Sequence, residues 1–301
     1  MQVMREIVLP DSEVIKKLES FLKKEFAIGY VRRLFRKNGV RVNGRRAKAD
    51  DLIRGGDRIQ LYIGFARQAD SVQPFKAVAK LDIVYEDEAL LVINKPAGIA
   101  VHEGKSVSKR DSVLGILETT YRHRGIKPQL VHRIDRDTSG LLLIAKNRHI
   151  AAELESCFET GAVQKKYLCL VVGRVPNNEG KIDFPVPGRQ GNPVRALTRY
   201  RVVKKFADVT LVRVSIETGR LHQIRLHFAK LGHPVVMDDQ HGDFGFNKRF
   251  HKEFGLKRQF LHAEKVKLNF AGKSREWQAP IATDLAQTLQ LLDGEMGRIL
   301  P

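Results

Sequence analysis

The sequence predicts a protein of mixed helices and strands, in which one large domain follows a small basic one. Three observations predict it. The chain has 301 residues, long enough for a large domain with a substantial core and a small one beside it. Hydrophobic residues make up 43% of it, which argues against disorder. Segments with helical apolar spacing and segments with strand-like alternation follow one another, while FARQADSVQ, from Phe65 to about Gln73, loses both and reads as a linker. The expected division is residues 1–65, a linker at 66–75 and a second domain at 76–301.

Charge narrows the partners. A formal net charge of +19, with a pI near 10.0, exceeds what solubility requires and points to a polyanion, nucleic acid before membrane. No run of about 18 apolar residues occurs and MQVMREIVLPD lacks a signal-peptide core, so a cytoplasmic protein is expected. Cys157 and Cys169 have apolar neighbours and no CxxC spacing, which fits reduced core residues better than a disulfide framework or a zinc site.

Residues 1–65 hold 15 Lys+Arg against 8 Asp+Glu. Ser12 can cap a helix bearing Ile15, Leu18, Phe21 and Leu22. A second helix, near Gly29 to Lys37, places Tyr30, Val31, Leu34 and Phe35 inside and Arg32, Arg33, Arg36 and Lys37 outside, a basic face able to track phosphates. Val40 to Val42, the turn Asn43-Gly44, then Arg45 and Arg46 read as strand and turn. Gly55 to Leu61 gives another turn and strand, expected to pair with the first around Leu52.

In the second domain, Ile83 to Tyr85 and Ala89 to Ile93 flank an acidic tip as a hairpin, broken by Asn94-Lys95-Pro96-Ala97-Gly98. Asp111 is a candidate cap for a helix through Tyr121, and Asn147 for one ending near Gly161. Gln164 to Val172 reads as a strand, and residues 172–200 as loops and short strands. Val212, Val214 and Ile216 alternate with polar residues, a half-buried strand. Leu221 to Leu231 reads as a helix with Leu221, Ile224, Phe228 and Leu231 on its apolar side and His222 and Arg225 on one face. Gln259 to Ala263 suggests a strand, and Asp284 to Asp293 a final helix.

The stretch Val131 to Asn147, VHRIDRDTSGLLLIAKN, organises this domain. His132, Arg133, Asp135, Arg136 and Asp137 cluster before a Thr-Ser-Gly turn and the apolar run Leu141 to Ala145, a buried strand. The cluster therefore stands at the mouth of a strand, where a rigid scaffold can hold a reactive group. Asp135 lies between Arg133 and Arg136, whose charges favour the ionised carboxylate, and such a carboxylate can be a nucleophile or base. Taken alone, the cluster fits a salt-bridged strand entry better than a reactive site, because structural ion pairs are common.

Two further stretches give it company: Lys165-Lys166-Tyr167, and Thr218-Gly219-Arg220-Leu221-His222-Gln223-Ile224-Arg225. With His132-Arg133-Ile134-Asp135-Arg136-Asp137-Thr138-Ser139-Gly140 they resemble, in order and spacing, the motifs of the RluA family of pseudouridine synthases. That likeness spans nearly all of residues 80–301. Ile134 replaces a leucine, a near-isosteric swap. GHPVVMDDQHGDFGFN is similar to the RluC type within the family, with the RluD type as competitor. Residues 1–65 resemble the S4 RNA-binding domain through RRLFRKNGVRVNGRRAK and IRGGDRIQL, with Lys17-Leu18-Glu19 in place of the usual Arg-Leu-Asp or Arg-Ile-Asp.

The resemblance implies an α+β fold, a mixed and mostly antiparallel central sheet around a cleft, preceded by a small S4-like domain. It implies a cofactor-free, metal-free, monomeric enzyme acting on ribosomal RNA of the large subunit or its precursor. Uridine becomes pseudouridine when the N-glycosidic bond breaks, the base turns and C5 rejoins the sugar, with no redox change. In that chemistry Asp135 is the carboxylate, Arg225 pairs with it, ideally bidentately, and Tyr167 stacks on the freed uracil and can help remove the C5 proton, although tyrosine is a poor base at neutral pH. Arg133 fills the gap left by a flipped nucleotide or holds its phosphate, with Lys165, Arg220 and His222 beside the substrate. Arg32, Arg33, Arg36, Lys37, Arg41, Arg45 and Arg46 are the expected RNA contacts of the small domain.

Each residue has a plainer reading. Asp137 suits a cap of the Thr-Ser-Gly turn. His222, His227 and His233 match no metal-site spacing, and Asp238, Asp239 and Asp243 no calcium loop, leaving loop and hydrogen-bond roles. Rival functions are a non-enzymatic RNA-binding ribosome-assembly protein, a tRNA-directed synthase, and a glycosidic hydrolase using Asp135 and Asp137. The hydrolase is the weakest, because both carboxylates sit on one turn instead of facing each other.

Overall fold

The computed structural model describes residues 5–11, 15–26, 31, 34–62, 81–104, 107–188 and 191–299. The chain divides into two compact units, Met1–Ala77 and Val78–Pro301. The expected linker, with Ser12, Arg32 and Arg33, lies outside the described residues.

The small unit comprises β1 (Arg5–Val8), β2 (Lys16–Lys17), α1 (Leu18–Glu25), β3 (Val40–Val42), β4 (Arg45–Arg46), β5 (Leu52–Ile53) and β6 (Arg58–Leu61). One antiparallel sheet runs β1-β6-β3-β4, and Leu18, Leu22, Val31, Leu34, Ile53, Ile59 and Leu61 form its core. The helix begins at Leu18, later than a Ser12 cap implies, because Lys16 and Lys17 are extended and pair with β5. Ile15 is consequently exposed. The predicted pairing of the strands at 40–42 and 58–61 is present, but Ile53 enters the core and Leu52 faces solvent. Asn43 and Gly44 have φ of 50° and 80°, the left-handed pair that a two-residue hairpin turn needs.

The large unit contains β7 (Asp82–Glu86), β8 (Leu90–Lys95), α2 (Val113–Tyr121), β9 (Gln129–Leu130), β10 (Ser139–Ala145), α3 (Arg148–Glu159) and β11 (Val163–Val172). It continues with β12 (Glu179–Ile182), β13 (Val186–Pro187), β14 (Pro193–Val194), β15 (Thr198–Lys205), β16 (Val209–Ile216) and α4 (Gln223–Lys230). The last elements are α5 (Phe244–Phe254), β17 (Leu261–Phe270), β18 (Lys273–Gln278) and α6 (Thr283–Ile299).

A 10-stranded sheet runs β12-β15-β16-β11-β17-β10-β8-β7, with β18 on β17 and β9 on β10. Among the described residues its one parallel pairing joins β10 to β17 at Ser139↔His262 and Gly140↔Ala263, so the sheet is mixed and mostly antiparallel, as expected. Both faces of β10 are covered. Leu142 and Ile144 share a core with Tyr167, Val214, Ile224 and Phe228, whereas Leu141, Leu143 and Ala145 pack with Leu154, Val266 and Trp277. Two-sided burial is what an unbroken apolar run requires. Gly140 is needed at the strand's start: its φ is 109°, and a Cβ there would collide with the Ala263 backbone.

Local signals hold unevenly. Asn147 caps α3 by accepting from the Ile150 amide at 3.0 Å. Ser112, one residue after the expected Asp111, caps α2 through the Gly115 amide. Helix α4 starts at Gln223 because His222 adopts φ 52°, and Leu221 and Leu231 are exposed instead of lying on its apolar side. Helix α5 and strand β18 are not among the expected elements. Phe246, Phe250 and Phe254 stack successively along α5 at an interval of four residues, with Asp243 as its cap.

Candidate active site

The cluster ahead of β10 is an irregular loop clamped from below. Lys95, at the end of β8, is fully buried, and its Nζ donates to three carbonyls: Pro96 at 2.8 Å, Ile99 at 2.9 Å and Arg136 at 2.9 Å. Those bonds use all three ammonium protons. Burial lowers its pKa to about 7, although the Asp137 charge opposes this. Gly98 adds a reciprocal tie, its amide donating to the Arg136 carbonyl and its carbonyl accepting from Arg136 Nε, each at 2.9 Å. From the other side Arg258 donates Nη1 to the Asp137 carbonyl at 3.1 Å and Nη2 to Ser139 Oγ at 3.2 Å, itself forked onto Asp284 of α6. No side-chain hydrogen bond from Asp137 caps the turn among the described residues; its backbone is what is held.

So mounted, Asp135 is 19% exposed and opens into a cleft of about 730 Å³. Arg225, on the first turn of α4, donates Nη1 to Asp135 Oδ2 at 3.1 Å. Its two-pronged contact goes elsewhere than expected. Nε and Nη2 each lie 2.7 Å from the two oxygens of Asp238, which is fully buried and also accepts from the amides of Gln240 and His241. Burial alone would raise the Asp238 pKa, but the Arg225 fork and those amides hold it below the ordinary value. Asp238 is thus the residue that aims Arg225, and Arg225 holds Asp135 by the corner left over. The flanking Arg133 and Arg136 are exposed and supply no ion pair to Asp135 among the described residues.

Strand β11 delivers Lys165 and Tyr167 to the same cleft, and the Thr218-Gly219-Arg220 turn, tied by Gln223 Oε1 to Thr218 Oγ1 at 2.7 Å, delivers Arg220 and His222. Tyr167 is buried, and burial with the Asp135 charge pushes its phenol well above the ordinary range. It therefore stays protonated at neutral pH in the ligand-free chain. Lys165 is buried to 7% exposure, and burial lowers its pKa to about 8. It stands 5.2 Å over the Phe158 ring and has no carboxylate partner among the described residues. His132 is not part of the charge: burial and Lys165 push its pKa down to about 3, it stacks on Phe158, and Nε2 accepts from the Leu143 amide at 2.8 Å. His227 and His233 are bonded to backbone carbonyls in separate places, and no group of residues suited to a metal ion occurs among the described residues.

The structure thus brings together Asp135, Tyr167, Arg225, Arg133, Lys165, Arg220 and His222 around one cleft. In the small unit Arg36, Lys37, Arg45 and Arg46 are exposed, and Arg41, half-buried, stacks on Tyr62 at 4.8 Å. Arg41 lies directly opposite Arg46 across the β3/β4 hairpin, a like-charge pairing that costs stability unless an anion offsets it.

A cleft beside a mostly antiparallel sheet, in which a buried arginine holds the Asp135 carboxylate and Arg133, Lys165 and Arg220 add positive charge, defines an enzyme-like site for an anionic polymer. The description RNA pseudouridylate synthase matches residues 89–230. The chain is 36% identical to the ribosomal large subunit pseudouridine synthase C of Vibrio cholerae, covering 91% of this chain and 92% of that one. It is 34% identical to the protein of that name from Escherichia coli, covering 95% and 96%. Among solved structures it resembles human RNA pseudouridylate synthase domain containing 1 at 27% identity, with a TM-score of 0.57 over 74% of this chain and 96% of that one. The likeness to human RNA pseudouridylate synthase domain containing 4, at 24% identity and a TM-score of 0.61 over 70% and 93%, shows the shared fold. The chain belongs to the RNA pseudouridylate synthase family.

Proposed function

We propose that this chain isomerises specific uridines to pseudouridine in large-subunit ribosomal RNA, with Asp135 as the reacting carboxylate. The observation that carries the reading is the half-buried Asp135 carboxylate, gripped by Arg225 in a cleft walled by Tyr167. A protein that only bound RNA would not require that grouping. The names of the relatives at 34–36% identity support the same substrate. Asp135 attacks the base or the sugar, Arg225 holds and aims it, and Tyr167 stacks on the detached uracil as a neutral phenol. Lys165, Arg220 and Arg133 take the phosphates of the flipped nucleotide and its neighbours, and His222 stands beside the carboxylate. The exposed cations of residues 1–65 act as an S4-like module that grips RNA through Arg36, Lys37, Arg41, Arg45 and Arg46, with Arg32 and Arg33. The enzyme works as a monomer in the cytoplasm, and no helix among the described residues is long and apolar enough to cross a membrane.

The test is incubation of the purified chain with unmodified large-subunit rRNA, followed by chemical mapping of pseudouridine. New pseudouridine at discrete uridines is expected; none at any position sinks the reading. Removing residues 1–77 should weaken RNA binding and make it less salt-dependent, the slope of log K against log salt falling by about 0.7 to 0.9 for each phosphate that the shortened chain no longer neutralises. An unchanged slope would take the small unit out of RNA binding.

Lys165 gives a pH prediction with a definite sign. Its pKa of about 8 means that it is mostly charged at pH 7 and loses its charge as pH rises through that value. A phosphate partner favours the charged form, so RNA affinity should weaken as pH climbs past about 8. Lys165→Met should bind more weakly at pH 7 and lack that alkaline limb in a fluorescence titration. An identical limb in the variant would assign it to another group.

A further inference from the structure

Two imidazoles stand in line behind Asp135. His222 Nδ1 is 3.0 Å from His241 Nε2, and His222 Nε2 is 3.9 Å from Asp135 Oδ1. Backbone holds both rings in place. His222 occupies the left-handed region at φ 52°, which residues with a Cβ seldom adopt, and the His241 amide donates to Asp238 Oδ1 at 2.9 Å. The charged and titratable groups facing His222 are Asp135, Arg225, His241 and Asp238. Burial, with Arg225 and His241, outweighs the two carboxylates and lowers its pKa, so the ring is neutral at neutral pH and carries one N–H.

Either ring nitrogen of His222 could carry that proton. If His222 donated from Nδ1 to His241, its Nε2 lone pair would face the Asp135 carboxylate, a repulsive arrangement. If His241 donates from Nε2, the His222 proton sits on Nε2 and faces Asp135. Only the second arrangement satisfies the hydrogen bond and the carboxylate field together.

Resting on the function proposed above, we propose that His241 is a positioning residue whose Nε2–H, donated to His222 Nδ1, fixes His222 with its proton on Nε2 and so turns an N–H toward Asp135 Oδ1. The two oxygens of Asp135 then differ. Oδ2 is held at 3.1 Å by the Arg225 guanidinium, while Oδ1 faces a neutral donor across 3.9 Å and is the oxygen left free for the substrate.

Nitrogen-15 NMR on the labelled full chain, without RNA, should show His222 protonated at Nε2. In His241→Phe, which keeps a ring but no donor, only the Asp135 carboxylate still favours the Nε2 proton, so the Nε2–H form should predominate less strongly and its Nδ1 signal should lose the hydrogen-bond shift. The single-turnover rate of pseudouridine formation should fall about tenfold, the worth of one well-placed hydrogen bond, with RNA affinity changed by less than about twofold. His241→Gln, whose amide N–H can replace the donor, should recover most of the rate. An Nδ1–H His222 in the wild type, a wild-type rate in His241→Phe, or a glutamine variant as slow as the phenylalanine one overturns the proposal. If the wild-type chain forms no pseudouridine at all, the functional reading fails, and the NMR result still decides the tautomer.

Discussion

Asp135→Asn is expected to leave RNA binding nearly intact and to abolish pseudouridine formation, with a rate loss on the order of 10⁴ to 10⁶ as for removal of a nucleophile elsewhere. The amide has the shape of the carboxylate, and its oxygen can still accept from Arg225 Nη1, now 3.1 Å from Asp135 Oδ2. Nor does the substitution strand the guanidinium, because Asp238 keeps the fork of Arg225 at 2.7 Å on both prongs. What disappears is the negative charge, and with it the ability to form and release a covalent bond to base or sugar. Mapping of pseudouridine on rRNA after long incubation, alongside a binding titration, checks both halves. Equal product from variant and wild type would end the case for Asp135.

Asp238→Asn should have the largest effect on stability. The pair it breaks is buried, Arg225 at 3% exposure and Asp238 at 0%. Asparagine would leave the Arg225 charge with only Asp135 at 3.1 Å and the exposed Asp239 at 3.4 Å, so the cost should approach the roughly 3–5 kcal/mol of a broken buried pair, and the chemical step should slow too, since Arg225 loses the anchor that aims it at Asp135. The pH dependence has a fixed sign. The Asp238 pKa lies below its ordinary 3.8, so the stability it contributes is complete above that value and is lost as pH falls through the lower folded pKa. The gap between wild type and variant in urea unfolding should therefore be full at neutral pH and close on the acid side. Replacing both partners, Arg225→Met with Asp238→Leu, should restore more stability than either single change while leaving the enzyme inactive. A single variant as stable as the wild type would show that Asp238 does not support Arg225.

The sequence made the framework legible where a local rule was sufficient. Strand β10 announced itself as an apolar run between turn residues, α3 by its Asn147 cap, and β16 by strict alternation, because each depends on neighbours within a few residues. The grouping of Asp135, Tyr167 and Arg225 was reached through motif likeness, and the cleft does gather all three. What stayed hidden were the partners that only the folded chain supplies. Lys95 looked like part of a strand-breaking turn, yet it ends a strand and reaches 41 residues ahead to the Arg136 carbonyl. Asp238 looked like a loop residue and is the main partner of Arg225. The residues taken alone pointed to Arg133 and Arg136 as the cations beside Asp135, and only the motif likeness pointed to Arg225, 90 residues away. Tyr167 and His132 show the same limit for electrostatics, since burial sets the direction of both pKa shifts and burial is a property of the fold.

The parallel pairing of β10 with β17 has a consequence for how the molecule comes into being. Ser139 and Gly140 are fastened to His262 and Ala263, some 123 residues further along the chain, and Arg258 reaches the same spot from just ahead of β17. Contacts so distant in sequence close late, after local hairpins and helices have formed. During synthesis, the stretch bearing Asp135 leaves the ribosome long before the strand that seats it. The nascent chain therefore carries the Asp135 carboxylate unseated until His262 and Ala263 have been made, and the cleft is completed in one of the last steps of folding.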